Sequence, residues 1–255
     1  MRDSRSAAAA NAGIREEAVE IPVSDGSRMR GYWASPSAKA QAAGLLLFQE
    51  AFGVNAHIRD VARRFAAQGY SVLAPELFHR SAKPGEEFSY ADFNAVIPHM
   101  KAMSDKSHEE DIRAAHAWLS DPSRSGSRGI AAVGYCMGGR TAFLAAAIAP
   151  LKAAVSYYGG GIAPMEMMGN PGLLDRAGSL KAPVLLYWGG LDQHIKAADR
   201  RRVADALEKA GKPYAWTVFS GADHGFFCDA RANYNAGAAA QSWALTLEFL
   251  KGALG

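Results

Sequence analysis

The stretch Gly134-Tyr135-Cys136-Met137-Gly138-Gly139 follows the apolar run Ile130-Ala131-Ala132-Val133 and leads into an alanine-rich segment, Thr141 to Ala149. It has the form of a strand, a sharp turn of pattern G-x-C-x-G-G, and a helix. A side chain on such a turn sits on strained backbone, and its neighbours must be small if strand and helix are to close on each other. Gly134 and Gly138 flank the cysteine and meet that demand. The turn also aims the sulfur at a helix N-terminus, where unpaired N–H groups and the helix dipole favour a thiolate. The pattern favours a catalytic cysteine but also fits a structural one in a glycine-rich turn, because free cysteine is among the most buried residue types. The rest of the chain has to supply the partners that separate these readings.

Around this turn the hydrophobic pattern alternates between strands and helices. Ala18 to Val23 and Met29 to Ala34 read as a hairpin about Ser24-Asp25-Gly26. Gly44 to Phe48, Tyr70 to Ala74, Ile130 to Tyr135, Ala153 to Tyr157, Pro183 to Trp188 and Tyr214 to Phe219 read as further strands. Helical periodicity covers His57 to Gln68, Ser107 to Leu119, Ala197 to Ala210 and Ala238 to Leu250. Glu76 to about Pro98 is irregular and reads as a loop over the site. Such alternation implies a mostly parallel, eight-stranded sheet with helices on both faces. A length of 255 residues suits a single domain. Residues 1–15 read as a mobile N-terminal tail without a secretion signal, and 16–255 as the domain.

Composition narrows the function. The net charge of +3 is small and its Lys and Arg are scattered, which argues against nucleic acid. No apolar run is long enough to suggest a membrane span. Two cysteines, Cys136 and Cys228, make no disulfide framework, so reduced thiols in a cytoplasmic enzyme are expected.

A nucleophilic cysteine needs a base for its proton and a carboxylate to orient that base. Asp192 lies in Gly189-Gly190-Leu191-Asp192, directly after the seventh strand, and His224 in Gly221-Ala222-Asp223-His224-Gly225, directly after the eighth. Both are C-terminal strand ends, where open α/β sheets gather ligand-binding groups. Each has a plainer reading alone, a turn-capping aspartate and a loop imidazole. Together, in the order nucleophile, acid, histidine, they follow the α/β-hydrolase fold. Glu50 is a carboxylate right after a buried strand, costly unless it is paired or faces a cleft. In hydrolases the loop it occupies supplies one oxyanion-hole N–H, here that of Ala51, with Met137 giving the other. His116 reads as helix packing; His57, His99 and His108 as helix-end or surface residues; His194 as equally a site residue or a surface one. No pair of residues has a supported metal-ligand spacing, so neither metal nor cofactor is expected.

The G-Y-C-x-G-G turn, the Q-E-x-F-G-V-N loop, the A-P-E-L-F segment ending at Arg80, the G-G-x-D-x-H-I stretch and the D-H-G-F-F stretch together resemble dienelactone hydrolase (carboxymethylenebutenolidase). The resemblance runs from about Ala18 to Leu250. It implies a single α/β-hydrolase domain whose Cys136-His224-Asp192 triad opens a small enol-lactone to a keto acid. It implies that Glu50 holds the resting thiol neutral and takes its proton when substrate arrives, and that Arg80 binds a substrate carboxylate. The family's best-known site has a serine just after the histidine and a second arginine four residues after it. This chain has Gly225 and Cys228 there, with Arg231 three further on as a substitute. Phe52, Tyr135 and Phe226 are the remaining expected pocket residues. A small lactone or ester is the expected partner, and oligomeric state is left open. A general carboxylesterase or thioesterase, or a non-catalytic binding protein of the same fold, are the alternatives.

Overall fold

The structure, a computed structural model, describes residues 13–37, 42–165 and 171–255. Among these, strands β1 (Ile14–Pro22), β2 (Arg28–Pro36), β3 (Gly44–Phe48), β4 (Ser71–Pro75), β5 (Ile130–Tyr135), β6 (Ala154–Tyr157), β7 (Val184–Gly189) and β8 (Tyr214–Phe219) form one sheet ordered β1-β2-β4-β3-β5-β6-β7-β8. β1 pairs antiparallel with β2 and β2 with β4, and every other pair is parallel. The five strands β3 to β7 are buried at every position, which is why they read as unbroken apolar runs. β1 and β8 are the sheet edges and are partly exposed.

The hairpin is longer than the sequence pattern indicates. β1 starts at Ile14, which pairs with Pro36, so Ile14 and Arg15 belong to the sheet and not to a tail. Arg15-Glu16-Glu17 lie on a solvated edge, and an edge strand needs no apolar alternation to pair. Residues 1–12 of the expected tail lie outside the described residues.

Among the described residues the helices are α1 (Ala56–Ala67), α2 (Ile97–Ala102), α3 (Asp105–Leu119), α4 (Met137–Ile148), α5 (Ala197–Lys209) and α6 (Ala236–Leu254). Asn55 caps α1 by accepting the Ile58 N–H at 3.2 Å, and Ile58, Val61, Ala62 and Phe65 turn one stripe to the sheet. Phe65 meets Trp243 of α6 at 4.5 Å between ring centroids, joining these helices in one layer. On the other face α4 packs against β5, β6 and α3, and every one of its residues is buried. Alanines let it approach this closely. Its one charge, Arg140, donates to the Gly161 carbonyl at 3.0 Å and to Asp105 at 2.7 Å. α4 begins at Met137, earlier than the expected Thr141, because Gly138 and Gly139 are poor helix formers and hide its first turn. Among the described residues no helix is long and apolar enough to cross a membrane.

Candidate active site

Because β3 to β8 run parallel, their C-terminal ends share one edge, and the loops beyond them converge. Gly134 pairs with Phe48 on one side and Ser156 on the other, so Cys136 emerges centrally between the β3 and β6 loops. Cys136 is the N-cap of α4 with φ 54° and ψ −118°, a left-handed geometry that L-residues avoid. Strain of this kind costs on the order of 1–3 kcal/mol and has to be held by its surroundings. Here a Cβ on Gly134 would lie 1.9 Å from the Gly138 carbonyl oxygen, and one on Gly138 2.3 Å from that of Phe48. Only glycine closes the turn.

His224 presents Nε2 to Cys136 Sγ at 3.2 Å and Nδ1 to Asp192 Oδ2 at 2.8 Å. The other Asp192 oxygen accepts the backbone N–H groups of His194 at 2.7 Å and Ile195 at 3.1 Å, which fixes the carboxylate. Burial alone pushes the Asp192 carboxyl up, but the His224 hydrogen bond and charge and these two N–H groups hold it below its ordinary value. Burial likewise pushes the His224 imidazolium down, and the negative sulfur of Cys136 with the Asp192 hydrogen bond more than reverses this, to about 10. These contacts favour the protonated form of the His224 ring. The His194 ring is exposed and stands 5.6 Å from that of His224.

Glu50, fully buried, lies in the loop after β3. Its Oε1 accepts the Tyr158 hydroxyl at 3.3 Å and faces Arg231 Nη1 at 3.6 Å, while Oε2 has no hydrogen-bond partner. Arg231 also lies 5.6 Å from the Phe52 ring centroid and 5.7 Å from that of Tyr90. Space for it comes from Gly225, at φ +78°, where a Cβ would sit 2.4 Å from Arg231 Nη1. No hydrogen bond joins Glu50 to Cys136 among the described residues. The sulfur faces His224, so the restraint of the thiol by Glu50 is not the state seen here.

Three expected pocket residues lie elsewhere. Arg80 donates through Nη1 and Nη2 to both oxygens of Asp111 at 2.8 and 2.9 Å, and through Nε to Asp25 at 2.7 Å. Three carboxylates, Glu110 at 3.8 Å included, occupy the guanidinium that was expected to bind substrate. Tyr135 is fully buried, stacked on Tyr157 at 4.6 Å. Phe226 is equally buried, against Tyr158 at 5.2 Å and Phe219 at 5.3 Å. Strand and loop aromatics beneath a nucleophile fill the core before they line a cleft. Phe52 is nearly buried but does meet Arg231. Ala51 is buried directly after Glu50, and Met137 opens α4, where its N–H is among the first-turn donors that lack an intrahelical acceptor.

Tyr158 and Tyr90, which no sequence motif singles out, and His57 and Cys228, which were not expected to line the site, also lie close to Glu50 or His224. Tyr158 had a usable signal, since it follows a buried strand at the same sheet edge as the triad; its φ is 37° and its ring lies 5.1 Å from His224. His57 and His108, read as surface or helix-end residues, are both buried. Both cysteines are free. Burial and the Glu50 charge raise the Cys228 thiol to about 11, and its Sγ donates to the Tyr90 hydroxyl at 3.3 Å. Tyr90 belongs to the Glu76–Pro98 segment, which lies over the Glu50 loop through a Phe88 N–H to Phe52 carbonyl bond of 3.2 Å.

A cysteine on a strained strand-to-helix turn feeding a buried helix, with an acid and an imidazole beyond later strand ends of an eight-stranded sheet, matches the α/β-hydrolase fold. The model of the dienelactone hydrolase family matches residues 29–254. A Synechocystis sp. protein named "Putative carboxymethylenebutenolidase" is 34% identical over 233 residues, 90% of this chain and 94% of its own. A Methylorubrum extorquens protein of the same name is 35% identical, covering 88% of this chain and 77% of that one. The crystal structure of a "Putative Dienelactone Hydrolase" from Klebsiella pneumoniae superposes with a TM-score of 0.82 at 32% identity, covering 92% of this chain and 97% of the other. The chain belongs to the dienelactone hydrolase family, and it is a hydrolase of that type.

Proposed function

We propose that the protein hydrolyses small anionic lactones or esters, of the enol-lactone kind that the relatives' names denote, through an acyl-enzyme on Cys136. The observation that carries this reading is the unbroken line from Cys136 Sγ through His224 to Asp192, with contacts of 3.2 and 2.8 Å. The thiolate attacks the carbonyl, and the N–H groups of Met137 and Ala51 hold the oxyanion. Collapse breaks the ester C–O bond, and the His224 imidazolium gives its proton to the leaving oxygen. Neutral His224, kept in one tautomer by Asp192, then draws a proton from water, which attacks the thioester and releases the thiolate.

Arg231 is the cation available to a substrate carboxylate. When substrate takes it, Glu50 loses a positive neighbour and gains a negative one, and both changes strengthen its hold on a proton. Glu50 then accepts the thiol proton and leaves the thiolate paired with imidazolium. The test is a single turnover on a lactone and on an aryl ester, followed by mass spectrometry of the Cys136 peptide. Wild type should carry the acyl mass on Cys136, and Cys136→Ala should lose on the order of 10⁴-fold in turnover. A variant that kept about a tenth of the wild-type rate would remove Cys136 as nucleophile.

A further inference from the structure

We propose that a zinc-type divalent ion binds behind the nucleophile, on Glu50, His57 and Cys228, and silences the enzyme by engaging Glu50. Ligand atoms of these three side chains lie within 4.8 Å of one another, and the residues are 0%, 5% and 0% exposed. Glu50 Oε2 and both ring nitrogens of His57 have no hydrogen-bond partner. Native proteins rarely bury polar atoms in this condition, and an unpartnered carboxylate oxygen and an unpartnered imidazole within reach of a buried thiol mark a place for a ligand.

The donors suit one class of ion. Thiolate, imidazole and carboxylate in a three-ligand set, with a fourth position for water, is a zinc arrangement. Bonds of about 2.0–2.3 Å in tetrahedral geometry place donors roughly 3.3–3.8 Å apart, so the side chains need draw in by only about 1 Å. His57 Nδ1 lies 3.7 Å from Asp229 Oδ1, so a carboxylate stands near the ring to orient it once Nε2 ligates. The charges balance as well. On binding, the Cys228 thiol releases one proton to solvent, and one thiolate with one carboxylate neutralises the dication, with no change of oxidation state. Arg231 stays on the other oxygen of Glu50, Oε1.

Binding depends only on these donors. Silencing rests additionally on the proposed role of Glu50, since a ligated carboxylate cannot take the thiol proton.

The experiment uses the full-length, chelator-treated protein titrated with Co²⁺, whose thiolate charge-transfer and tetrahedral d–d bands report the donor set. Wild type and Cys136→Ala should both show the thiolate band, saturating at about one ion per chain. Cys228→Ser, nearly isosteric, should lose it, and His57→Asn should weaken affinity by about 10-fold or more. Zn²⁺ should displace Co²⁺ and lower wild-type turnover with the same midpoint. Absence of the band, or a band that disappears with Cys136 and survives Cys228→Ser, overturns the site. Zinc bound through Cys228 with turnover unchanged establishes the site and overturns the role given to Glu50.

Discussion

Truncating Arg231 should separate anionic from neutral substrates. The guanidinium stands 3.6 Å from Glu50 Oε1, its side chain is 21% exposed, and two aromatic rings wall it in. A charge-assisted pair with a substrate carboxylate in so partly desolvated a place is worth roughly 2–3 kcal/mol, or about 30- to 150-fold. Arg231→Ala should therefore raise KM for a carboxylate-bearing lactone by that factor. On a neutral aryl ester kcat/KM should fall less than on the lactone, because only the effect on Glu50 remains and the Tyr158 hydroxyl still holds that carboxylate. Arg80→Ala is the control. Its loss leaves Asp111, 1% exposed, without its bidentate partner, and breaking such a buried pair costs about 3–5 kcal/mol, so Tm should fall while the ratio of the two activities holds. Steady-state kinetics on both substrates, with calorimetry, reads all of this. Equal losses on both substrates for Arg231→Ala would refute the argument. A selective KM effect for Arg80→Ala would also refute it, since Arg80 would then have to leave Asp111 to meet substrate.

Two further outcomes follow from the same contacts. His224 is raised from 6.5 to about 10, so stabilisation of its imidazolium is complete below pH 6.5 and lost as pH climbs through 10. Thermal stability across that window, followed by calorimetry, should decline less in Cys136→Ala, which lacks the largest upward push on the histidine. An equal decline in both proteins would refute the coupling of His224 to Cys136. Gly225→Ser adds a Cβ 2.4 Å from Arg231 Nη1 on a backbone of φ +78°, so it should expel the arginine and reproduce the Arg231→Ala pattern. The double variant should then be no worse on the anionic lactone than either single one, and additive losses would place Arg231 away from Gly225.

The clustering of Cys136, Asp192 and His224 was legible because each stands directly after a strand, and both the strand and the turn that ends it are local signals. Tyr158 carried the same signal without a chemical motif to single it out. Arg80 misled because sequence fixes where an arginine starts and not where its long side chain ends. Its partner Asp111 reads as one more acid on α3, yet is 1% exposed and also faces His79 Nε2 at 3.1 Å. Tyr135 and Phe226 misled for a related reason, since adjacency to a catalytic residue in the chain says nothing about which face of the loop the ring takes. His57 and Cys228 lie at opposite ends of the chain, and no spacing rule joins them; only the fold brings them to Glu50.

These surprises meet at one local exchange. Where the family resemblance leads one to expect serine and then arginine after the catalytic histidine, this chain places Gly225 and Cys228, and its arginine comes later, at 231. The glycine gives up the volume that the guanidinium enters, so the cation reaches Glu50 by a different route. The position vacated by the expected arginine holds a buried thiol, which lies beside Glu50 and His57. Had an arginine remained there, its charge would exclude a dication from this pocket by like-charge repulsion in a place shielded from solvent. With the charge moved, Glu50 has one oxygen turned to Tyr158 and Arg231 and the other left unpartnered. The rearrangement that moves the proposed carboxylate-binding cation to 231 is thus also the one that places the three donors of the proposed metal site around Glu50.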